Sequence, residues 1–136
     1  MAQSIVVTLE KDIPEAVAAY AKATSGKALG RETDRLDSAA RRKSVPAITA
    51  LLSESQATLI AQLQDQGIDP AKMRLPPERW FPASEGLQTV RALTEYVTAN
   101  LNDFKQPNPI LRELRATDAL LTSAEKAGVG FHFTKV

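Results

Sequence analysis

The fold is decided by one stretch, RWFPASEGLQTVRALTEYVTANL (Arg79–Leu101). Its second half repeats apolar residues at three- and four-residue steps, so a helix over Glu85–Leu101 is predicted with one face in the core. We expect Ser84 to cap this helix through its hydroxyl. The chain's single tryptophan, Trp80, stands beside Phe81 ahead of the helix, and in a chain with few aromatics such a pair fills a core or lines a shallow groove. The apolar positions of the helix are Leu87, Val90, Leu93, Val97 and Leu101.

A glycine, Gly86, lies early in this helix, where it costs about 1 kcal/mol relative to alanine. A cost of this size calls for a compensating reason. We expect another chain segment to cross close to Gly86, with a ligand at the helix N-terminus as the alternative.

A second long helix is predicted nearer the C-terminus. Asn108 followed by Pro109 is typical of a helix start with proline in its first position, and Gly128 is a good C-terminal stop. The residues expected to face inward are Leu111, Leu114, Leu121 and Ala124.

Both ends of the chain are predicted to be strands. Val129–Val136 alternates, which puts Phe131 and Phe133 on one face and His132 on the other. Ser4–Leu9 is β-branched and roughly alternating. Because lone strands leave their backbone groups unpaired, we expect the first and last strands to pair with each other.

The N-terminal half is predicted to hold two helices joined by a loop. Ile13–Thr24 has Pro14 near its first helical position and is expected to end at Gly26. The segment Gly26–Gly30 lacks the spacing of a phosphate-binding loop and is predicted to be an ordinary loop. Arg31–Lys43 is rich in helix formers with few apolar residues, which predicts an exposed helix.

The middle of the chain is less regular. Val45–Leu52 fits an extended linker, a buried strand that would be the third of the sheet, or a short helix. Ser53 and Gln56 form a capping-box pair for a helix over Glu54–Gln66. The residues of that helix expected to face inward are Leu59, Ile60 and Leu63.

These elements predict a single α+β domain over residues 1–136, mostly helical, with about five helices on a small two- or three-stranded sheet. The absence of cysteine removes disulfides and thiolate sites and fits a reducing cytoplasm. The N-terminus has no secretory signal pattern, and no segment approaches the roughly 20 apolar residues of a membrane span. We therefore expect a cytoplasmic protein without membrane, metal or cofactor.

The net charge of +1 argues against a polyanionic partner by bulk electrostatics. One segment, Lys27–Lys43, has six basic residues against three acidic ones, and nucleic-acid binding there is one alternative function. Acidic residues alternate with these basic ones, which favours instead a solvent-exposed helix with ion pairs along its surface. The basic residues concerned are Arg31, Arg35, Arg41, Arg42 and Lys43, and the acids are Glu32, Asp34 and Asp37.

His132 is the chain's one imidazole, so a general base near neutral pH or a nitrogen metal ligand would have to use it. It lacks the spacing of a known metal motif and is predicted to be a surface or sheet-face residue. The alternative is a pocket in which Arg79, Trp80 and Glu85 supply a cation, an aromatic wall and a carboxylate for a small ligand, or serve an atypical enzyme together with His132. Glu78 and Glu85 are a further candidate pair for acid and base work.

The run PPERWFPASEGLQTVRAL and the ending AEKAGVGFHF resemble a pattern found in small uncharacterised bacterial proteins. The resemblance covers roughly the C-terminal half of the chain. It implies a cytosolic bacterial protein of unknown activity and transfers no catalytic residue.

The leading functional hypothesis is a non-enzymatic protein-interaction or regulatory domain, because reactive side chains are scarce and apolar helix faces are ample. Ile68–Pro82 carries four prolines and predicts a long surface connection with one helical turn at Asp69–Met73. This connection, with Trp80 and Phe81, is the expected contact surface for a protein partner or for a second copy of the chain.

Overall fold

The computed structural model describes residues 4–54, 56–72, 74–75 and 77–135, which form six α-helices and two strands. The structure is 64% helical, so the prediction of a mostly helical α+β fold is confirmed. Four residues covered by the predictions, Ser55, Met73, Pro76 and Val136, lie outside the described residues. The strands are β1 (Ile5–Leu9) and β2 (Phe131–Lys135). The helices are α1 (Pro14–Ala23), α2 (Lys27–Arg31), α3 (Thr33–Arg42), α4 (Gln56–Asp65), α5 (Ala83–Ala99) and α6 (Pro107–Ala127), with short 3₁₀ turns at Ile48–Leu51, Pro70–Lys72 and Leu101–Asp103.

The two strands pair with each other, as predicted, and the pairing is antiparallel with Ile5 opposite Lys135. On the other side of β2, Phe81 forms an antiparallel bridge to Phe131, and Leu52 forms a parallel bridge to Phe133. The third strand considered for Val45–Leu52 is therefore reduced to a single bridging residue. β2 lies in the middle of this arrangement and contacts three separate parts of the chain.

The outer edge of β1 is closed by two neighbouring groups. Ile5 N–H donates to the Gly26 carbonyl oxygen at 2.9 Å, and Val7 N–H donates to the Tyr20 hydroxyl oxygen at 3.1 Å. Burial raises the pKa of the Tyr20 phenol, so this hydroxyl stays protonated at neutral pH. Gly26 has a φ of 77°, and a Cβ there would meet the Ile5 backbone. Closing the edge in this way protects it from pairing with other chains.

Helices α5 and α6 pack against each other and form the centre of the core. Their predicted inward faces are confirmed, with one exception. Leu101 is 45% exposed, because α5 ends at Ala99 and Leu101 begins the following 3₁₀ turn. The confirmed buried residues are Leu87, Val90, Leu93 and Val97 on α5 and Leu111, Leu114, Leu121 and Ala124 on α6.

Gly86 is explained by close packing, as expected from the sequence. A Cβ at this position would lie 2.4 Å from the ring of Phe131 and 2.8 Å from a methyl group of Leu121. The side chains of Phe131 on β2 and Leu121 on α6 therefore pack directly on the first turn of α5, and only glycine leaves room for them.

Several predicted helix starts are wrong. α5 begins at Ala83 without a side-chain cap, so Ser84 lies inside its first turn. α4 begins at Gln56, and the Ser53 hydroxyl oxygen accepts a hydrogen bond from Arg79 N–H at 2.7 Å, so Ser53 links two distant segments and does not cap the helix. α6 begins at Pro107, whose fixed φ suits the first helical position as well as that of Pro109.

The segment predicted as a loop around Gly26–Gly30 is instead helix α2, and Gly26 starts this helix. The predicted helical turn after Ile68 is confirmed as the 3₁₀ turn Pro70–Lys72. The predicted inward face of α4 has the right orientation, because the other seven residues of the helix are exposed, but none of the ten is fully buried. Its apolar residues Leu59, Ile60 and Leu63 are only half-buried.

Candidate functional site

His132 lies at the centre of a polar cluster on the face of the sheet opposite the two phenylalanines. Its Nε2 is 2.6 Å from Glu78 Oε2, and its ring centroid is 4.6 Å from that of Trp80. The residue is 1% exposed. The sequence placed it correctly on this face but did not predict its burial, which depends on Glu78 and Trp80 covering it from a different segment.

The second ring nitrogen of His132 continues the cluster across the sheet. Nδ1 is 3.2 Å from the Thr134 hydroxyl and 3.2 Å from the Phe133 carbonyl oxygen. The Thr134 hydroxyl is 2.7 Å from that of Thr8 on β1. A carboxylate oxygen and a carbonyl oxygen accept, whereas the Thr134 hydroxyl can either donate to Nδ1 or accept from it.

The Glu78–His132 pair ties the end of the proline-rich segment to the sheet. A carboxylate, an imidazole and a hydroxyl that are hydrogen-bonded in series are also the components of a proton relay. A relay acts on a substrate only where a reacting atom reaches it, and His132 is closed off by Trp80 and Glu78. This geometry favours a structural link over a reaction centre.

The residues predicted to form a small-ligand pocket are not brought together in one cavity. The Arg79 guanidinium lies over the ring of Phe81, 5.0 Å from its centroid. Phe81 is buried in the core and bridges to β2, so it is not part of a contact surface. Glu85 lies half-buried in the first turn of α5. The carboxylate that joins His132 is that of Glu78.

A groove of about 310 Å³ lies beside this cluster, where α4 meets the end of β2. One wall is fixed by Ser53, whose N–H donates to the Phe133 carbonyl oxygen at 3.0 Å and whose hydroxyl holds Arg79 N–H. The groove includes Arg79 but neither Trp80 nor Glu85. Its apolar residues are Leu52, Leu59 and Pro77, and its polar residues are Ser53, Glu54, Arg79 and Lys135.

The charged groups of the groove are unpaired within the described part of the chain. Neither Arg79 nor Lys135 forms an ion pair there, and neither does Glu54. Two cations and one carboxylate give the groove a positive balance. Sequence reasoning missed this groove, because Lys135 and Leu59 belong to segments far apart in the chain.

The basic residues considered for nucleic-acid binding are largely engaged by other side chains. Arg35 pairs with Glu32 at 3.2 Å, and Lys43 pairs with Glu95 at 3.1 Å. Arg42 donates to the Tyr96 hydroxyl at 2.8 Å. Arg41 donates to the Ser38 hydroxyl at 3.4 Å, and Arg31 is exposed. The predicted pairing along α3 is thus observed for Arg35, whereas Arg42 and Lys43 reach across to α5.

Two of the acids interleaved with these basic residues are buried and bind backbone. Asp37 accepts from Ile48 N–H at 3.0 Å and from the Thr49 hydroxyl at 2.7 Å. Glu32 accepts from Lys105 N–H at 2.7 Å. The sequence suggested a solvated charged face, but these carboxylates hold the turns that follow α3 and α5 in place.

Among the described residues, no group of three or more histidine and acidic side chains is arranged to hold a metal ion. No described helix combines the length and the apolar character needed to cross a bilayer. Comparisons with protein-family models, with curated proteins and with solved structures found no match to this chain.

Proposed function

We propose that this protein is a protein-interaction domain that binds an apolar and acidic segment of a partner protein in the groove between α4 and the end of β2. The observation that carries the proposal is that α4 has apolar residues on one side that its own chain covers only in part, since Leu59, Ile60 and Leu63 are half-buried and none is fully buried. An amphipathic helix of a globular protein normally covers such a stripe.

Covering these residues would be favourable. Apolar surface removed from water contributes roughly 25 cal/mol per Å². Leu59 lies in the groove itself, and Ile68, just beyond α4, is 39% exposed. Partly uncovered apolar residues are thus found both in the groove and just beyond α4, and such residues are typical of recognition surfaces.

The charges of the groove define the chemistry of the partner. Arg79 and Lys135 have no carboxylate partner within the described residues, so an acidic side chain of the bound segment supplies one. Glu54, which also lines the groove, repels a continuous acidic run. The expected ligand is therefore a short segment in which one acidic residue is flanked by apolar ones.

Panning a random twelve-residue peptide library against the protein tests this proposal. Peptides with one acidic residue among apolar residues should be enriched, and a synthetic peptide from the enriched set should change the fluorescence of Trp80, the single tryptophan. Leu59→Asp should abolish binding. Leu101→Asp, which changes an exposed leucine elsewhere on the surface, is the matched control and should bind as the wild type does.

Three results would contradict the proposal. The first is a library without an enriched class, and the second is binding that survives Leu59→Asp in a protein with an unchanged melting temperature. The third is a dimer in sedimentation experiments that Leu59→Asp dissociates, since the occupant of the groove would then be a second copy of the chain.

A further inference from the structure

A second cavity, of about 450 Å³, lies between α3, the end of α5 and the 3₁₀ turn that follows it. Its volume falls in the range of small-molecule sites. Its charged and aromatic lining residues are Asp34, Arg35, Arg42, Tyr96, Asp103 and Phe104. This cavity is separate from the groove proposed above, and the two share no residue.

The arginine side chains of this cavity are held in place by neighbours. Arg42 donates to the Tyr96 hydroxyl at 2.8 Å, and that hydroxyl donates to Asp103 Oδ2 at 3.0 Å. Arg35 is held by Glu32 at 3.2 Å. Each of these contacts uses one of the five N–H donors of a guanidinium, so most of the donors are left for a ligand. Preorganised arginines bind carboxylates with little further loss of side-chain entropy.

Among the residues that the structure describes, three charged groups in the cavity lack an ion-pair partner, namely the carboxylates of Asp34 and Asp103 and the guanidinium of Arg42. Within the described part of the chain, neither Arg42 nor Asp34 forms a salt bridge, although both line this space. Arg35 already pairs with Glu32, and Asp103 already accepts from Tyr96. Within the described residues, Asp34 is thus the carboxylate of the cavity with neither an ion pair nor a side-chain hydrogen bond, and Arg42 keeps the donors that it does not give to Tyr96.

The spacing of these two groups sets the length of the ligand. Asp34 and Arg42 are eight residues apart, which is about 12 Å along a helix axis. The guanidinium of Arg42 donates to the Tyr96 hydroxyl, so it is held beside α5. A ligand that spans the two needs charges that are several bonds apart.

We infer that this cavity binds an elongated zwitterion, with its carboxylate on Arg42 and its ammonium group on Asp34. A polyanion is disfavoured, because Asp34 and Asp103 would repel it. The same repulsion argues against nucleic-acid binding by Arg35 and Arg42.

Isothermal titration with glycine, 6-aminohexanoate, acetate and inorganic phosphate tests the inference. Affinity should be highest for 6-aminohexanoate, lower for glycine and lowest for the two anions. Arg42→Gln and Asp34→Asn should each weaken binding of 6-aminohexanoate about tenfold, because each removes one charged hydrogen-bonding partner. Arg31→Gln removes an exposed cation outside the cavity and should leave the affinity unchanged.

The inference is overturned if none of the four compounds binds, if phosphate binds more tightly than 6-aminohexanoate, or if Arg42→Gln and Asp34→Asn bind as the wild type does. Melting temperatures of the variants establish that each remains folded. Asp34 and Arg42 are both exposed, so neither change should unfold the protein.

Discussion

Carboxylates that bond to buried groups organise this fold at the scale of single residues. Asp37 is 7% exposed and fixes the 3₁₀ turn after α3, through Ile48 N–H and the Thr49 hydroxyl. Glu78 fixes the approach of the proline-rich segment through His132. In each case a side chain that looks like surface charge in the sequence satisfies polar groups that folding has removed from water.

Replacing Asp37 by alanine should lower the free energy of unfolding by roughly 2 kcal/mol, because a buried N–H and a hydroxyl lose their acceptor. Urea denaturation measures this loss. Asp34→Ala on the same helix is the control and should change stability by less than about 0.5 kcal/mol, because Asp34 is exposed. Equal effects of the two substitutions would show that Asp37 has no special role.

Replacing Glu78 by alanine should cost roughly 1–3 kcal/mol of stability, because the Nε2 of a buried imidazole is left unpaired. Trp80, which packs on that imidazole, should change its emission as its surroundings loosen. Glu85→Ala serves as the comparison, since Glu85 gains only the smaller interaction of a carboxylate with a helix N-terminus. If Glu85→Ala proved the more damaging change, the assignment of Glu78 as the partner of His132 would be wrong.

At the scale of elements, α4 differs from the other long helices. α5 and α6 bury one face each against the other, whereas α4 buries no residue fully. Helical stability in proteins comes mainly from packing of an apolar face, so α4 is the helix held least firmly by its own chain.

We expect the backbone amides of α4 to exchange with deuterium much faster than those of α5 and α6, because local opening of α4 exposes little apolar surface. Hydrogen-exchange mass spectrometry measures this directly. A peptide selected in the groove should slow the exchange of α4 and leave α6 unchanged. Equal protection of α4 and α6 without a peptide would contradict the description of α4 as a weakly packed helix.

At the scale of the whole molecule, β2 ties together parts of the chain that are far apart in sequence. It pairs with β1, bridges to Leu52 and Phe81, and packs the ring of Phe131 against Gly86. The pairing of Ile5 with Lys135 brings the two ends of the described chain side by side.

A circular permutant that joins the two ends by a short glycine and serine linker, and that opens the chain between Gly67 and Ile68, should therefore fold. Both residues are exposed, and insertion points of this kind are usually tolerated. Its far-UV circular dichroism and cooperative thermal transition should resemble those of the original chain. A permutant opened inside α5, between Gln88 and Thr89, should fail to fold, because Thr89 is fully buried in the central helix.

The sequence by itself determined the strands at both ends, their pairing, the two long helices with most of their buried faces, and the close approach at Gly86. These features follow from periodicity and from the steric properties of glycine and proline, which act locally and leave a pattern in adjacent residues.

Only the tertiary structure decided which polar residues meet. Glu78 and His132 are 54 positions apart, and Asp34 and Asp103 come from different elements of the second cavity. No local pattern records such a meeting, because hydrogen bonds and ion pairs form wherever packing brings the groups together. The same holds for α4. Its amphipathic sequence predicts a buried face, but in the structure that face is covered only in part.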